Sequence, residues 1–156
     1  MSKTTRATQA LTRAGIPHSV HVYDYDPDAI RIGLQAAEAM GVVPGEVFKT
    51  LMAAVDGKPV CVLVPSDREM SLKKLAAAFN GKSAAMMRPA DAERLTGYHV
   101  GGISPLGQKR VVPTLVDAAA LALPAIFVNG GQRGLQVRLK PDDLVRVLGA
   151  RSEAVT

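Results

Sequence analysis

The chain has 156 residues, 47% of them hydrophobic and 4% aromatic, with no tryptophan, one cysteine and a formal net charge of +5. That length suits one globular domain whose core needs no staples, and the lone Cys61 excludes an internal disulfide or a thiolate metal cluster. The positive balance favours a phosphate-rich partner, while so few aromatic side chains argue against a platform that stacks a run of bases.

Residues 3–14 place Ala7, Ala10, Leu11 and Ala14 at helical spacing before Gly15 and Pro17 stop the helix. HSVHVYDY (18–25) alternates as a strand does, and GLQAAEAMG (33–41) predicts a short helix closed by Gly41. VFKTLMAAV and PVCVLVP flank Asp56-Gly57, a hairpin signal because glycine tolerates the positive φ of a tight turn. SLKKLAAAFN (71–80) reads as a helix capped by Ser71, AAMM as a strand, and PADAERLTG (89–97) as a helix. RVVPTLVD (110–117), AIFVN (125–129) and LQVRL (135–139) predict strands, and PDDLVRVLG a last helix ending at Gly149. Strands and helices do not alternate regularly, which argues against a doubly wound sheet. The expectation is one α/β (α+β) domain over residues 1–156, a curved, partly barrel-like mixed sheet surrounded by helices. No run approaches the ~18 apolar residues of a membrane span, and the opening MSKTTRATQALTRAG is too polar for a signal peptide, so a soluble, cytoplasmic protein is expected.

Familiar catalytic motifs fail on spacing. Gly81-Lys82-Ser83 ends like a phosphate-binding loop, but Ala76 stands where its first glycine belongs. Ser104 in GISPLG resembles a nucleophile elbow with its second glycine one place too far, and Pro105 removes the amide that would serve an oxyanion hole. His18, His21 and His99 have no metal-ligand spacing with carboxylates or Cys61. Neither a metal nor a cofactor is implied.

What remains is a lysine and bare backbone. Lys49 shares a strand face with Leu51, Ala53 and Val55, while Phe48, Thr50 and Met52 take the other. Its ammonium can simply snorkel to water, or stand at a pocket mouth as a fixed cation for a phosphate or a polarised carbonyl. The glycines of GYHVGGISPLGQKR (97–110) favour the second reading: Gly101 and Gly102 let amides approach a ligand directly, and Pro105 stiffens the turn. One placed oxyanion donor is worth about 3 kcal/mol. VNGGQRGLQV forms a second glycine loop, with Arg133 as a phosphate contact or a solvated turn residue. This inventory holds no protein nucleophile, base or metal.

HVYDYDP, VFKTL, TGYHVGGISPLGQKRVVPTLVD and VNGGQRGLQVRL, in that order, resemble the YbaK/prolyl-tRNA synthetase-associated editing domains, and within them the stand-alone Cys-tRNA(Pro) deacylases. The resemblance covers residues 21 to 139. It implies hydrolysis of cysteine wrongly attached to proline tRNA, with no cofactor, no DNA and no membrane, and with prolyl-tRNA synthetase as a transient partner. It assigns Lys49 to the 3′-terminal nucleotide or the ester, and the Gly101–Pro105 loop, through Gly102, Ile103 and Ser104, to positioning of the ester. Tyr23, Ile32, Thr50, Asn129, Gly130, Arg133 and Gln136 fall at substrate-binding positions. The attacking group it implies is the substrate's own thiol. The chain departs from the family pattern at Gln136, where relatives carry an acid, at Asn129 in place of a serine, and at Ile32 in place of an aromatic residue. These departures bear on amino-acid selectivity. The rival readings are a non-catalytic tRNA-binding module and a deacylase for another small amino acid, such as alanine.

Overall fold

The computed structural model describes residues 3–156. α1 (Arg6–Arg13) begins at a reciprocal cap: the Thr8 amide donates to Thr5 Oγ1 at 3.1 Å and the Thr5 amide to Thr8 Oγ1 at 2.8 Å. Such a cap contributes about 1 kcal/mol. β1 (Ser19–Val22) is shorter than the alternating run, and α2 (Ile32–Met40) ends at Gly41 with φ +69°. A 3-10 turn at Pro44–Glu46 leads into β2 (Phe48–Val55) and β3 (Lys58–Pro65). Asp56 and Gly57 both have positive φ, 49° and 81°, the combination whose twist matches two antiparallel strands.

α3 (Leu72–Ala78) takes Ser71 as its N-cap; β4 (Ala84–Met86), α4 (Pro89–Thr96) and β5 (Thr114–Asp117) follow. A 3-10 turn at Ala118–Ala122 precedes β6 (Ile126–Asn129), β7 (Leu135–Leu139), α5 (Pro141–Leu148) and β8 (Arg151–Glu153). Only the second half of the expected strand at 110–117 pairs, and Val111 is 89% exposed.

The mixed α/β character holds, but the strands form two sheets and no closed barrel. One has the order β4-β2-β3-β5-β8, antiparallel on the hairpin side and parallel from β3 to β8. The other, β1-β7-β6, is antiparallel throughout. A single parallel bridge between Val47 and Phe127 links them.

The main core lies where the sheets face each other. Phe48, Leu63 and Val116 from the larger sheet meet Val128, Val137 and Leu139 from the smaller, closed by Leu11 of α1 and Leu144 of α5. On the opposite face of the larger sheet, Ala53, Val55, Val62, Val64 and Leu115 pack under Leu75 of α3. Cys61 is fully buried in β3, and burial pushes its thiol up to about 12.

One detail of pairing positions the site. β4 covers β2 only from Ala53 to Val55, so Phe48 to Leu51 have no β4 partner, and β6 pairs with that edge only at the Val47–Phe127 bridge. Antiparallel ladders alternate between bonding one neighbour and the other. Val47 bonds Ser66 on the β3 side, and Met52 accepts from the Met87 amide on the β4 side. Thr50, two residues before Met52, therefore points its main-chain N–H and C=O off the bare edge.

Candidate functional site

A cavity of about 330 Å³ opens at that bare edge. Val47, Phe48, Lys49, Thr50 and Leu51 form one wall, and Asn129 and Gln136 of the smaller sheet form the facing one. The start of α2, with Ile32 and Gly33, and the turn carrying Val100, Gly101 and Ile103 complete it. Strand alternation assigned Lys49 and Thr50 to opposite faces, yet both line the cavity, because it wraps around an edge rather than lying on a face.

The Lys49 ammonium has neither a hydrogen-bond nor an ion-pair partner among the described residues. Partial burial lowers its pKa from that of a free lysine; Glu69 and Asp67 nearby oppose the shift, and Arg31 adds to it. Four other side-chain atoms are buried without a hydrogen-bond partner among the described residues: Thr50 Oγ1 and Gln136 Oε1 on the cavity wall, Tyr23 Oη beside Gln136, and Ser152 Oγ on β8. A buried polar group without a partner costs about 1–3 kcal/mol, and two such atoms share this wall. The Tyr23 phenol does not line the cavity. It lies behind Gln136, and burial raises its pKa, an effect that Gln136 and the Gly134 backbone partly offset.

The glycine-rich turn is braced along its whole length. The Val100 amide donates to Glu93 Oε2 at 2.8 Å, and the Val100 carbonyl accepts from Arg133 Nε at 2.9 Å. Asn129 Nδ2 donates to the Gly101 carbonyl at 3.1 Å while its Oδ1 accepts from the Gly131 amide at 2.7 Å, so one side chain joins both glycine loops. Further along, Tyr98 Oη donates to the Leu106 carbonyl at 2.6 Å and Gln108 Nε2 to that of Ser104 at 2.9 Å.

This bracing reassigns the two glycines. Gly102 donates its amide to the His99 carbonyl at 2.8 Å, so that amide is not free for a ligand. A Cβ at Gly102 would stand 2.9 Å from the Arg133 nitrogen and 3.0 Å from the Gln132 carbonyl carbon, so its missing side chain lets two loops touch. Gly101 has φ +91°, and a Cβ there would meet Tyr25 Oη at 2.6 Å. The amides of Gly101 and Ile103 have no protein acceptor among the described residues, and both residues line the cavity.

Several expected positions lie outside the cavity wall. Ser104 is buried, its Oγ accepting from the Leu106 amide, and Pro105 borders a different hollow beside Ala10 of α1. Gly130 bonds Leu135 through its amide and accepts from Thr5 Oγ1 through its carbonyl. Arg133 holds Val100 and lies 5.6 Å above the Tyr25 ring, which makes it a brace of the turn. Conversely, Ile30, Arg31, Gly33 and Ser66 line the cavity without having been singled out in the sequence. Gly33 had the one readable clue, a glycine opening a helix: a Cβ there would fall 2.6 Å from Ser66 Cβ.

The structure is a small α/β domain whose cavity is lined by an unpartnered lysine and a glycine-rich turn. Residues 29–147 match the family model of the aminoacyl-tRNA editing domain, and the chain belongs to that family. It is 31% identical over 97% of its length, and 93% of the relative's, to EbsC of Enterococcus faecalis, described as a candidate Cys-tRNA(Pro)/Cys-tRNA(Cys) deacylase. It is 34% identical over 101 residues to the proline–tRNA ligase of Acidithiobacillus ferrooxidans, of which it spans only 18%. Among solved structures, a hypothetical protein, APE2540, superposes with a TM-score of 0.85 at 22% identity, over 97% of this chain and 99% of that one. A candidate trans-editing enzyme for prolyl-tRNA synthetase gives 0.83 at 23% identity, over 100% and 98%. No helix among the described residues is long and apolar enough to cross a membrane.

Proposed function

We propose that the whole chain, residues 1–156, works as one trans-editing domain that removes cysteine from mischarged tRNA(Pro), in the cytoplasm and in passing association with prolyl-tRNA synthetase. One observation carries this reading: in a member of the editing family, an unpartnered lysine, the orphaned Thr50 Oγ1 and Gln136 Oε1, and two turn residues with unbonded amides line one cavity. Lys49 anchors the charged end of the tRNA, through the terminal phosphate or the ester itself. Gly101 and Ile103 offer their amides to the ester carbonyl, where negative charge develops in an acyl transfer.

In the step proposed, the substrate's cysteine thiolate attacks its own ester carbonyl. The new C–S bond closes a cyclic thioester, the C–O bond to the ribose breaks, and the proton that left the sulfur ends on the freed ribose oxygen. The protein then positions and stabilises, and no side chain needs to be a nucleophile. This agrees with the cavity wall, which carries no cysteine, histidine or carboxylate.

A panel of tRNAs charged with cysteine, serine, alanine and proline tests the proposal. Release of cysteine far ahead of serine is expected, since a thiol near pKa 8.5 ionises far more readily than an aliphatic hydroxyl. Equal rates for cysteine, serine and alanine would make water the nucleophile. Binding of charged tRNA with no release of any amino acid would make the protein a carrier.

A further inference from the structure

The same cavity carries an imbalance of charge that ester positioning does not explain. Its wall contains two cations, Arg31 and Lys49, and no carboxylate. Gln136 is only 4% exposed, and its Oε1 faces no donor. An amide oxygen can only accept, whereas the Thr50 hydroxyl can accept or donate.

The charged and titratable groups around Gln136 are few. Across the ladder on β1 stands His21, whose ring bonds Ser19 Oγ at 2.8 Å and meets Phe127 edge-on. Arg138, further along β7, holds its guanidinium over the Phe127 ring. On β6, Asn129 is bonded through both ends of its amide. Beyond β1 comes Tyr23, from β2 Lys49, and from the start of α2 Arg31; Asp67 and Glu69 act on Lys49 without reaching the cavity wall. A second ammonium in this space would meet cations and no counter-ion.

We infer that the cavity holds the substrate's α-amino group in its uncharged form, with Gln136 Oε1 and the Thr50 hydroxyl accepting its two N–H bonds. A neutral amine has two N–H donors, matching the one obligate acceptor and the one adaptable hydroxyl on the wall. A protonated amine has three donors and a charge, and the wall offers two unpartnered side-chain oxygens and no carboxylate to meet them. The inference rests on the reading of the cavity as an aminoacyl site.

The test measures binding of 3′-deoxy-3′-(L-alanylamino)adenosine, whose amide resists hydrolysis, beside its lactyl counterpart, in which a hydroxyl replaces the amine. An α-amino group titrates at about 7.7–8.0, so between about pH 6 and pH 8.5 its neutral fraction rises roughly 50-fold. The alanyl compound should tighten by that factor while the lactyl compound changes little. Alanyl binding that is flat, or tighter in acid, overturns the inference while leaving the aminoacyl site standing. Failure of both compounds to bind at any pH removes the aminoacyl site itself, and this inference with it. Gln136→Glu supplies a second arm: a carboxylate in that position should tighten alanyl binding near pH 6 and flatten its pH dependence, and an unchanged slope counts against the assignment.

Discussion

β2 has two ends with opposite characters. At the back, Ala53 to Val55 are paired on both sides, by β3 and β4, and packed beneath α3. At the front, Phe48 to Leu51 lack a β4 partner, and the strand there borders a hollow with an unpaired lysine and an orphaned hydroxyl. One strand thus holds the sheet together at one end and stays unfinished at the other. The difference teaches that the candidate site is made by leaving a sheet incomplete rather than by adding a catalytic motif.

Substitutions that act on one end and spare the other sharpen that contrast. The largest effect is expected at the front. Lys49→Ala should cut kcat/KM for release of cysteine from tRNA(Pro) by roughly 10²–10³-fold, the scale of losing one fixed charge stabiliser, with a melting temperature close to that of the parent. Turnover near the parent value in that variant would take Lys49 out of the site. At the back, Leu75→Ala should cost about 2–5 kcal/mol in urea unfolding, as deletion of a fully buried leucine does. Its activity per folded molecule should hold, and a loss there would show that the two ends are coupled.

Gly102→Ala falls between these. The added methyl must displace the backbone of residues 132 and 133, so a stability loss of about 1–3 kcal/mol is expected together with reduced turnover, read by calorimetry and by deacylation of one sample. A parent-like melting curve would mean that the loops separate easily. The smallest effect belongs to Thr50→Val, which swaps a buried, unpartnered hydroxyl for a methyl. Stability should stay within about 1 kcal/mol or rise, while KM for the charged tRNA increases several-fold. A fall in kcat with KM unchanged would contradict a role in holding the substrate.

The pH profile of the parent adds a further reading. A lysine pKa held below that of the free side chain means that the ammonium is lost earlier as the medium turns alkaline. Anchoring of the tRNA should therefore weaken on the alkaline side before free lysine would titrate, and Lys49→Arg should push that limb upward.

The hairpin was legible because Asp56-Gly57 can do little else between two apolar runs, and the helices because their stops are glycine or asparagine. β8 was not: Arg151–Glu153 is short, has no alternating apolar face, and exists only because β5 offers it a parallel edge. The single sheet expected became two because β1, β6 and β7 satisfy one another and meet the larger sheet at one bridge, at Val47 just before β2, a matter of long-range pairing. At the candidate site, Lys49 and Gly101 stood out by residue type and context. Ile30, Arg31 and Ser66 did not, since a residue drawn from a loop to a cavity rim leaves no periodic trace. Gly102 was noticed for the wrong reason: its bareness serves the contact with residues 132 and 133 rather than a ligand.

The sealed position of the lone sulfur has a practical consequence. The chain has one cysteine, and it lies in the middle of a strand with no access to solvent. Val111→Cys, at a side chain standing almost clear of the protein, would thus give maleimide dyes a single address, so that the approach of tRNA can be followed by fluorescence without first removing a native thiol.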